Sequence, residues 1–196
     1  FTPGRGCFTA SVPCNVPVVV TFPPPRVPQL RMRFTRFETL PEVTPPEGYE
    51  IRRYLPGDEA AWAAVLNACG SLGKWDVQRV IRLLNGERHA VPEGTFFATW
   101  KGLPVATTCS VVGPGGDQWE IGWVAVHPDH QGHRLSYWTC VACLRYMRSQ
   151  GATEAYLLTD DFRLPAIKTY LRLGFEPQIT DESHLERWQR ILSQLG

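Results

Sequence analysis

No apolar run in this sequence approaches the ~20 residues that a membrane-spanning helix requires. No segment joins a basic start to a long apolar core, which is the pattern of a secretory signal. Neither sign of charge is in excess: the net charge is +1, so nothing indicates a nucleic acid as the main partner. We therefore expect a cytoplasmic protein that engages neither membranes nor nucleic acids. The 43% hydrophobic content of the 196 residues suffices for one domain plus an extension.

Metal-binding and disulfide patterns are also lacking. The six cysteines are scattered along the chain, unlike those of a small disulfide scaffold, so reduced thiols are expected. Cys140 and Cys143 form a CxxC pair inside a predicted helix with no second pair at zinc-like spacing, which favours small core residues over a metal or redox role. His127, His130 and His133 recur every third residue and could in principle hold a metal, but a solvated loop is favoured. We expect no metal.

One stretch, residues 119–136, organises the rest of the chain. Its apolar run Ile121–Val126 predicts a buried strand. A turn containing Gly132 follows, and a helical pattern then runs over residues 135–150. A strand, a tight turn and a helix in this order aim backbone N–H groups at the helix N-terminus, where an anion binds well. An ordinary connection between a strand and a helix would show the same pattern.

The remaining patterns predict a mixed β-sheet flanked by helices, and therefore an α/β fold. Asp58 is predicted to cap the first helix, and Lys101-Gly102 to join two strands as a hairpin. The predicted strands cover residues 49–54, 95–100, 105–112, 121–126, 155–159 and 175–179. The predicted helices cover residues 59–68, 75–84, 135–150, 165–173 and 185–195.

Residues 1–46 carry ten of the 17 prolines and are predicted to form an N-terminal extension of the domain at residues 47–196. Residues 16–22 are compatible with a short edge strand, and residues 22–25 with an extended polyproline-like run. Residues 30–37 mostly alternate apolar and basic side chains, which predicts a strand with one buried face. The extension could be an irregular arm packed on the domain or on a neighbouring subunit, or a tail without fixed structure.

Residues 124–135 carry the order V-x-V-x-P-x-x-Q-G-x-x-L. This order resembles the acetyl-CoA-binding motif of the GNAT N-acetyltransferase superfamily, which ends in Gln/Arg-x-x-Gly-x-Gly/Ala. Gln131 matches the first position of that ending. Arg134 stands where the first Gly is usual, and Ser136 stands where Gly or Ala is usual.

A second signature lies farther along the chain. Residues 166–175, AIKTYLRLGF, resemble the C-terminal A-x-x-x-Y-x-x-x-G-F pattern of the same superfamily, with Arg163 where the family often has Asn. The order of predicted elements resembles the GNAT fold as well. Together the resemblance covers roughly residues 48–178 and implies a GNAT-like fold.

The resemblance implies that acetyl-CoA is the co-substrate. Its pyrophosphate would lie over the turn from Gln131 to Ser136, which must pass the phosphates without the freedom of a glycine at Arg134. A bulge or splay in the preceding strand would free the Val124 N–H for the thioester carbonyl and Val126 for the pantetheine arm. The cofactor-binding residues implied in this way are Val124, Ala125, Val126, Gln131, Gly132, His133, Arg134, Leu135, Ser136 and Arg163.

Two residues carry catalytic expectations. Glu120 opens the organising strand, where some GNAT enzymes have their general base, and simple alternation would place it on one face with Val124 and Val126. A solvent-facing or salt-bridged glutamate is the alternative, in which case His127, Asp129 or water could be the base. Tyr170 of the second signature is expected to protonate the leaving thiolate, unless it is buried only for its ring.

The sequence thus predicts an N-acyltransferase that moves an acetyl group from acetyl-CoA to a primary amine by direct attack in a ternary complex. The alternative is a catalytically silent GNAT-like module that binds CoA or a partner, because Arg134 and Arg163 replace expected residues. The acceptor is expected to be a small-molecule or peptide amine, and several tryptophans could line its pocket. A homodimer is a further expectation.

Overall fold

Seven β-strands form a mixed sheet in the computed structural model, which describes residues 27–116 and 118–196. The strands are β1 (Leu30–Phe34), β2 (Tyr49–Arg53), β3 (His89–Trp100), β4 (Leu103–Val112), β5 (Trp119–Val126), β6 (Ala155–Thr159) and β7 (Glu176–Gln178). Their order across the sheet is β2-β3-β4-β5-β6-β1-β7. Only β5 and β6 are parallel among these paired strands. The predicted mixed sheet is confirmed, whereas the predictions for residues 16–22 and 22–25 lie outside the described residues.

Five α-helices accompany these strands within the described ranges. They are α1 (Glu59–Ala68), α2 (Val77–Asn85), α3 (Leu135–Ser149), α4 (Leu164–Leu173) and α5 (His184–Leu195). The bounds predicted for α1 and β6 are confirmed, while β3 begins at His89 rather than at residue 95. None of these helices is both long and apolar enough to cross a membrane.

Strand β1 lies inside the sheet although the sequence analysis assigned its residues to the extension. It pairs antiparallel with β6 on one side and with β7 on the other. Leu30, Met32 and Phe34 are fully buried, while Arg31 and Arg33 are half-buried or exposed on the opposite face. The predicted strand with one buried face is therefore confirmed, because alternate residues of a strand point to opposite faces.

The helices cover the sheet on two sides. On one side, Trp62 of α1 and Val80 of α2 pack in a buried cluster with Phe97, Cys109 and Val111 of the sheet. On the other side, the buried face of α3 packs with the apolar residues of β1 and with α4 and α5.

The cysteines of α3 are core residues, as predicted. Cys140 and Cys143 are fully buried, and the Cys143 thiol donates to the Gly94 and Thr108 carbonyl oxygens at 3.3 Å each. Burial raises the pKa of the Cys140 thiol to about 12, which disfavours a reactive thiolate. The pair therefore acts as packing.

Asp58 does not cap α1 through its side chain, contrary to the prediction. Its carboxylate instead accepts hydrogen bonds from the Arg52 guanidinium at 2.7 and 2.9 Å and from the Leu55 N–H at 2.8 Å. A carboxylate that binds a guanidinium with both oxygens gains a stronger interaction than a neutral cap offers. Asp58 thus joins β2 to the start of α1.

Candidate active site

A β-bulge interrupts β5 at the centre of the sheet. Thr107 pairs with Ala125 and Cys109 pairs with Gly122, so one residue of β4 faces two residues of β5. Trp123, one of the two, has a φ of 53°. This left-handed conformation is strained for a bulky residue and needs support from its surroundings. An edge-to-face contact with the Trp75 ring at 4.7 Å provides part of that support.

The bulge changes which residues of β5 share a face. Glu120 pairs with Val111, and Ala125 packs in the same cluster as Val111 on the side of α1 and α2. Val124 instead packs against the cluster around α3 and α4, and Val126 against a cluster that contains Leu135. The expectation that Glu120 shares a face with Val124 and Val126 is wrong, because the extra residue shifts the alternation by one.

Strands β5 and β6 separate directly after Ile121. Their parallel pairing ends at Ile121 and Leu157. The His127 N–H donates to the Val105 carbonyl oxygen of β4 at 2.8 Å. Because successive residues direct their backbone groups to opposite neighbours, Val124 and Val126 direct theirs into the gap beside β6. The predicted bulge and splay are both present, and the free backbone donors need a partner from outside the sheet.

The N-terminus of α3 closes one end of this gap. Arg134 occupies the N-cap with φ 57° and ψ 24°, and no side chain caps the helix. The first helical backbone bond runs from the Trp138 N–H to the Arg134 carbonyl oxygen, so the N–H groups of residues 135–137 have no partner inside the helix. Gly132, with φ 83°, turns the chain just before. Arg134 itself adopts the left-handed conformation that glycine usually supplies, at a cost of roughly 1–2 kcal/mol.

A cleft of about 480 Å³ runs from this helix end along the gap. It brings together most of the predicted site residues: Val124, Ala125, Val126, Gln131, Gly132, Arg134, Leu135, Ser136, Arg163 and Tyr170. His133 is not among its lining residues, and the His133 ring lies 5.2 Å from the Tyr49 ring. The separate stretches of sequence therefore meet at one surface.

Sequence reasoning missed the part of the cleft that α4 and the α1–α2 connection supply. These residues are Cys69, Ser71, Pro165, Ala166, Thr169 and Arg172, and His130 of the turn after β5 is a further lining residue. Those on α4 recur at spacings of three or four residues, which marks one helix face. That spacing could have identified the cleft-lining residues of α4 only if the position of α4 beside β5 had been known.

The lining of the cleft is basic. Arg134, Arg163 and Arg172 contribute guanidinium groups, and no acidic side chain lines the cleft. Arg134 and Arg172 form no salt bridge within the described residues. Two unpaired guanidinium groups beside an uncapped helix N-terminus are suited to a ligand with several phosphate charges.

Tyr170 lies in the cleft wall on α4. Its side chain is only 6% exposed, and its hydroxyl makes no hydrogen bond to any described residue. Burial raises the pKa of the Tyr170 phenol, with Cys140 adding to the rise and Arg163 opposing it. The hydroxyl is therefore protonated near neutral pH and can donate a proton to a stronger base.

Glu120 is buried but lies outside the lining of the cleft. Only 5% of the residue is exposed, and its carboxylate is in direct contact with the Arg88 guanidinium. Tyr156, its neighbour in register on β6, has a raised pKa, first through burial and then through the Glu120 charge. Glu120 is therefore a salt-bridged glutamate, which is one of the two possibilities that the sequence left open. The other candidate bases, His127 and Asp129, lie on an exposed turn with their side chains 39% and 83% exposed.

Arg163 joins two walls of the cleft. Its Nη2 donates to the Ser71 carbonyl oxygen at 3.2 Å and lies 2.9 Å from Asp160 Oδ2. Its Nε is buried and finds no partner among the described residues. Such a donor is costly unless a ligand completes it.

Comparison with known proteins identifies the fold and the family. The family model described as Acetyltransferase (GNAT) family matches residues 59–175, which include the bulged strand, the α3 N-terminus and α4. The chain belongs to the GNAT acetyltransferase family. The resemblance that the two signatures indicated is therefore confirmed.

Curated relatives of this GNAT chain include mycothiol acetyltransferases from two organisms. The protein from Streptomyces coelicolor is 33% identical over 161 residues, which cover 78% of this chain and 50% of the relative. The protein from Acidothermus cellulolyticus is 32% identical over 172 residues, with 78% and 52% coverage. The chain spans about half the length of these curated relatives.

Solved GNAT structures share its fold. A GCN5-related N-acetyltransferase from Sphaerobacter thermophilus aligns with a TM-score of 0.62 at 23% identity, over 78% of this chain and 50% of the other. The ribosomal-protein-S18-alanine N-acetyltransferase of Escherichia coli aligns with a TM-score of 0.56 at 18% identity, over 67% of this chain and 79% of the other. The predicted α/β fold with a GNAT-like sheet is confirmed.

Proposed function

We propose that this chain transfers an acetyl group from acetyl-CoA to a primary amine by direct attack in a ternary complex. The observation that carries the proposal is the cleft itself. Unpaired backbone donors of a splayed strand lead into an uncapped helix N-terminus that is flanked by unpaired arginines. CoA is an extended molecule with amide groups in its arm and phosphates at one end, so each part meets a complementary group.

Each part of the cleft then has one task. The N–H groups of residues 132–136, together with Arg134 and Arg172, would hold phosphate oxygens. Val126 would bind the pantetheine amides, and the Arg163 Nε would complete its hydrogen bonding on a ligand carbonyl. When bound, acetyl-CoA supplies an activated acetyl thioester. The Val124 N–H would polarise its carbonyl as an oxyanion-type donor.

Proton transfer would involve two further groups. Tyr170 is protonated and faces the cleft, so it is the proposed donor to the thiolate that leaves. Glu120 stays the proposed base, acting through water, because its carboxylate lies outside the cleft and is held by Arg88. His127 and Asp129 are weaker candidates since both are exposed and outside the lining.

The acceptor is proposed to be a small-molecule or peptide amine. The relatives are named for acetyl transfer that involves mycothiol, so mycothiol without its acetyl group belongs in the first set of amines to be tested. The four cysteines within the described ranges are free thiols, which supports a reducing compartment such as the cytoplasm. Assembly into a homodimer stays a prediction.

Thiol release from acetyl-CoA in the presence of an amine panel tests the function. We expect amine-dependent release that follows the appearance of acetylated product. CoA binding without release for any amine would favour the second candidate, a silent CoA-binding module. Arg134 and Arg163, which replace expected residues, motivate that candidate, whereas the left-handed backbone of Arg134 at the helix N-terminus supports an anion site despite the missing glycine.

A further inference from the structure

Arg163 and the α1–α2 connection meet at the end of the cleft opposite the phosphate-binding turn. Under the proposed function, the pantetheine arm runs from Val126 toward Val124, so the acyl group lies beyond Val124. Val124 and Arg163 both line the cleft, together with Ser71 and Cys69 of the α1–α2 connection. What surrounds them decides how long an acyl chain can be.

The sheet closes the cleft directly ahead of the acyl group. Strands β5 and β6 pair again at Ile121 and Leu157, and Leu157 is only 1% exposed. A chain longer than acetyl cannot pass between paired strands without breaking their hydrogen bonds. It would have to turn toward the α1–α2 connection.

Hydrogen bonds hold the α1–α2 connection in place, and this is the side toward which a longer chain would have to turn. The Asn67 side chain bonds both backbone groups of Trp75, at 2.8 and 2.9 Å. The Trp75 indole N–H donates to the Leu72 carbonyl oxygen at 2.8 Å, and its ring packs on Trp123. The Arg163 bond to the Ser71 carbonyl oxygen then ties this connection to the β6–α4 side.

We propose that the bridge from Arg163 to Ser71 limits the donor to short acyl groups. Asp160 fixes the guanidinium from the β6 side at 2.9 Å, so the bridge is braced at both ends. Arg163 would thus be a specificity-determining residue for acyl length, in addition to its proposed contact with CoA. The proposal rests on the proposed function, since that function sets the direction of the acyl group.

The test compares acetyl-, propionyl-, butyryl- and hexanoyl-CoA. For the wild type, kcat/KM with a fixed amine should fall about tenfold or more for each step in which the chain outgrows the space. Arg163→Ala should make the decrease of kcat/KM with acyl length smaller. The ratio of butyryl to acetyl activity should therefore rise at least tenfold, even if all rates decrease. Arg163→Lys can still reach both oxygens and should keep most of the wild-type selectivity.

Arg172→Ala is the matched control because Arg172 lines the same cleft and is assigned to the phosphates under the proposed function. Arg172→Ala should weaken the binding of all four acyl-CoA molecules by the same factor and leave the ratio of butyryl to acetyl activity unchanged. An Arg163→Ala series as steep as the wild type would overturn the proposal, as would a wild type that accepts hexanoyl-CoA as readily as acetyl-CoA.

Calorimetry without an amine separates this proposal from the proposed function. The wild type should bind hexanoyl-CoA more weakly than acetyl-CoA, and Arg163→Ala should bind the two more equally. If CoA binds but the difference is absent, the bridge proposal alone fails. If neither CoA nor any acyl-CoA binds, both the proposed function and the bridge proposal are wrong.

Discussion

At the scale of single residues, the position of Tyr170 in the cleft wall supports its proposed role as a proton donor. It is buried beside the cleft, yet it bonds to none of the described residues. A tyrosine buried for its ring alone usually finds a partner for its hydroxyl. Tyr170→Phe should therefore lower kcat by roughly 10- to 10³-fold, with almost no change in melting temperature or in CoA affinity. Full turnover by this variant, measured together with its melting temperature, would remove Tyr170 from the mechanism.

Glu120 forms an ion pair with Arg88 and is also the proposed base, and two variants separate these two roles. Glu120→Gln leaves the Arg88 guanidinium without its carboxylate, so the melting temperature should fall as well as kcat. The double variant Glu120→Gln with Arg88→Met removes the unpaired charge and should recover much of the melting temperature. If Glu120 is the base, kcat stays roughly 10²–10⁴-fold low in both variants. Recovery of kcat along with stability would show that Glu120 is structural and would assign the base to water or to another residue.

Arg134 carries backbone strain and a free charge, and these have opposite consequences. Arg134→Gly removes a left-handed non-glycine residue, so the protein without ligand should be stabilised by about 1 kcal/mol. The same change removes a guanidinium from the phosphate end, so CoA should bind more weakly and with less dependence on salt. Arg134→Ala keeps the strain and loses the charge, which makes it the control for affinity. Tighter CoA binding by Arg134→Gly would show that the arginine hinders the site.

At the scale of elements, sequence predicted local structure better than relations between elements. The bounds of α1 and β6 follow from their own apolar spacing. The bulge at Trp123 depends on how β5 pairs with β4, and the sequence of one strand alone does not determine that pairing. Glu120 was predicted on the wrong face of β5, and Arg172 was not predicted as a site residue, for the same reason. Both predictions required the position of a neighbouring element. The turn and the helix start that are proposed to bind phosphate were predictable because one continuous stretch forms both.

The turn before α3 provides an element-scale test with a matched control. Gly132 and Gly116 have φ values of 83° and 79°, and a Cβ added at either would meet nothing within 4 Å. Gly132→Ala and Gly116→Ala should therefore cost similar stability, about 1 kcal/mol each. Only Gly132 borders the cleft, so only Gly132→Ala should weaken CoA binding in calorimetry. Equal CoA affinity in the two variants would place the pyrophosphate elsewhere.

At the scale of the whole molecule, the position of β1 between β6 and β7 bears on which part of the chain folds as a unit. The sequence predicted a domain at residues 47–196, and that division stays untested as a domain boundary. Strand β1 precedes it, yet it fills the place between β6 and β7 and buries Leu30, Met32 and Phe34 completely. Without β1, β7 would lose the strand it pairs with, β6 would keep only β5, and the α3 core would be open to water.

Two truncations test this arrangement. A chain that begins at residue 27 keeps β1 and should unfold cooperatively near the wild-type temperature. A chain that begins at residue 47 should be insoluble or lack a cooperative transition, because burying each of three large apolar side chains contributes roughly 1.5–3 kcal/mol, which together rivals the total stability of a typical domain. Phe34→Ala in the full chain is the milder version and should cost about 3–5 kcal/mol. If residues 47–196 instead melt cooperatively at the wild-type temperature, β1 is an accessory strand and the predicted boundary at residue 47 is correct.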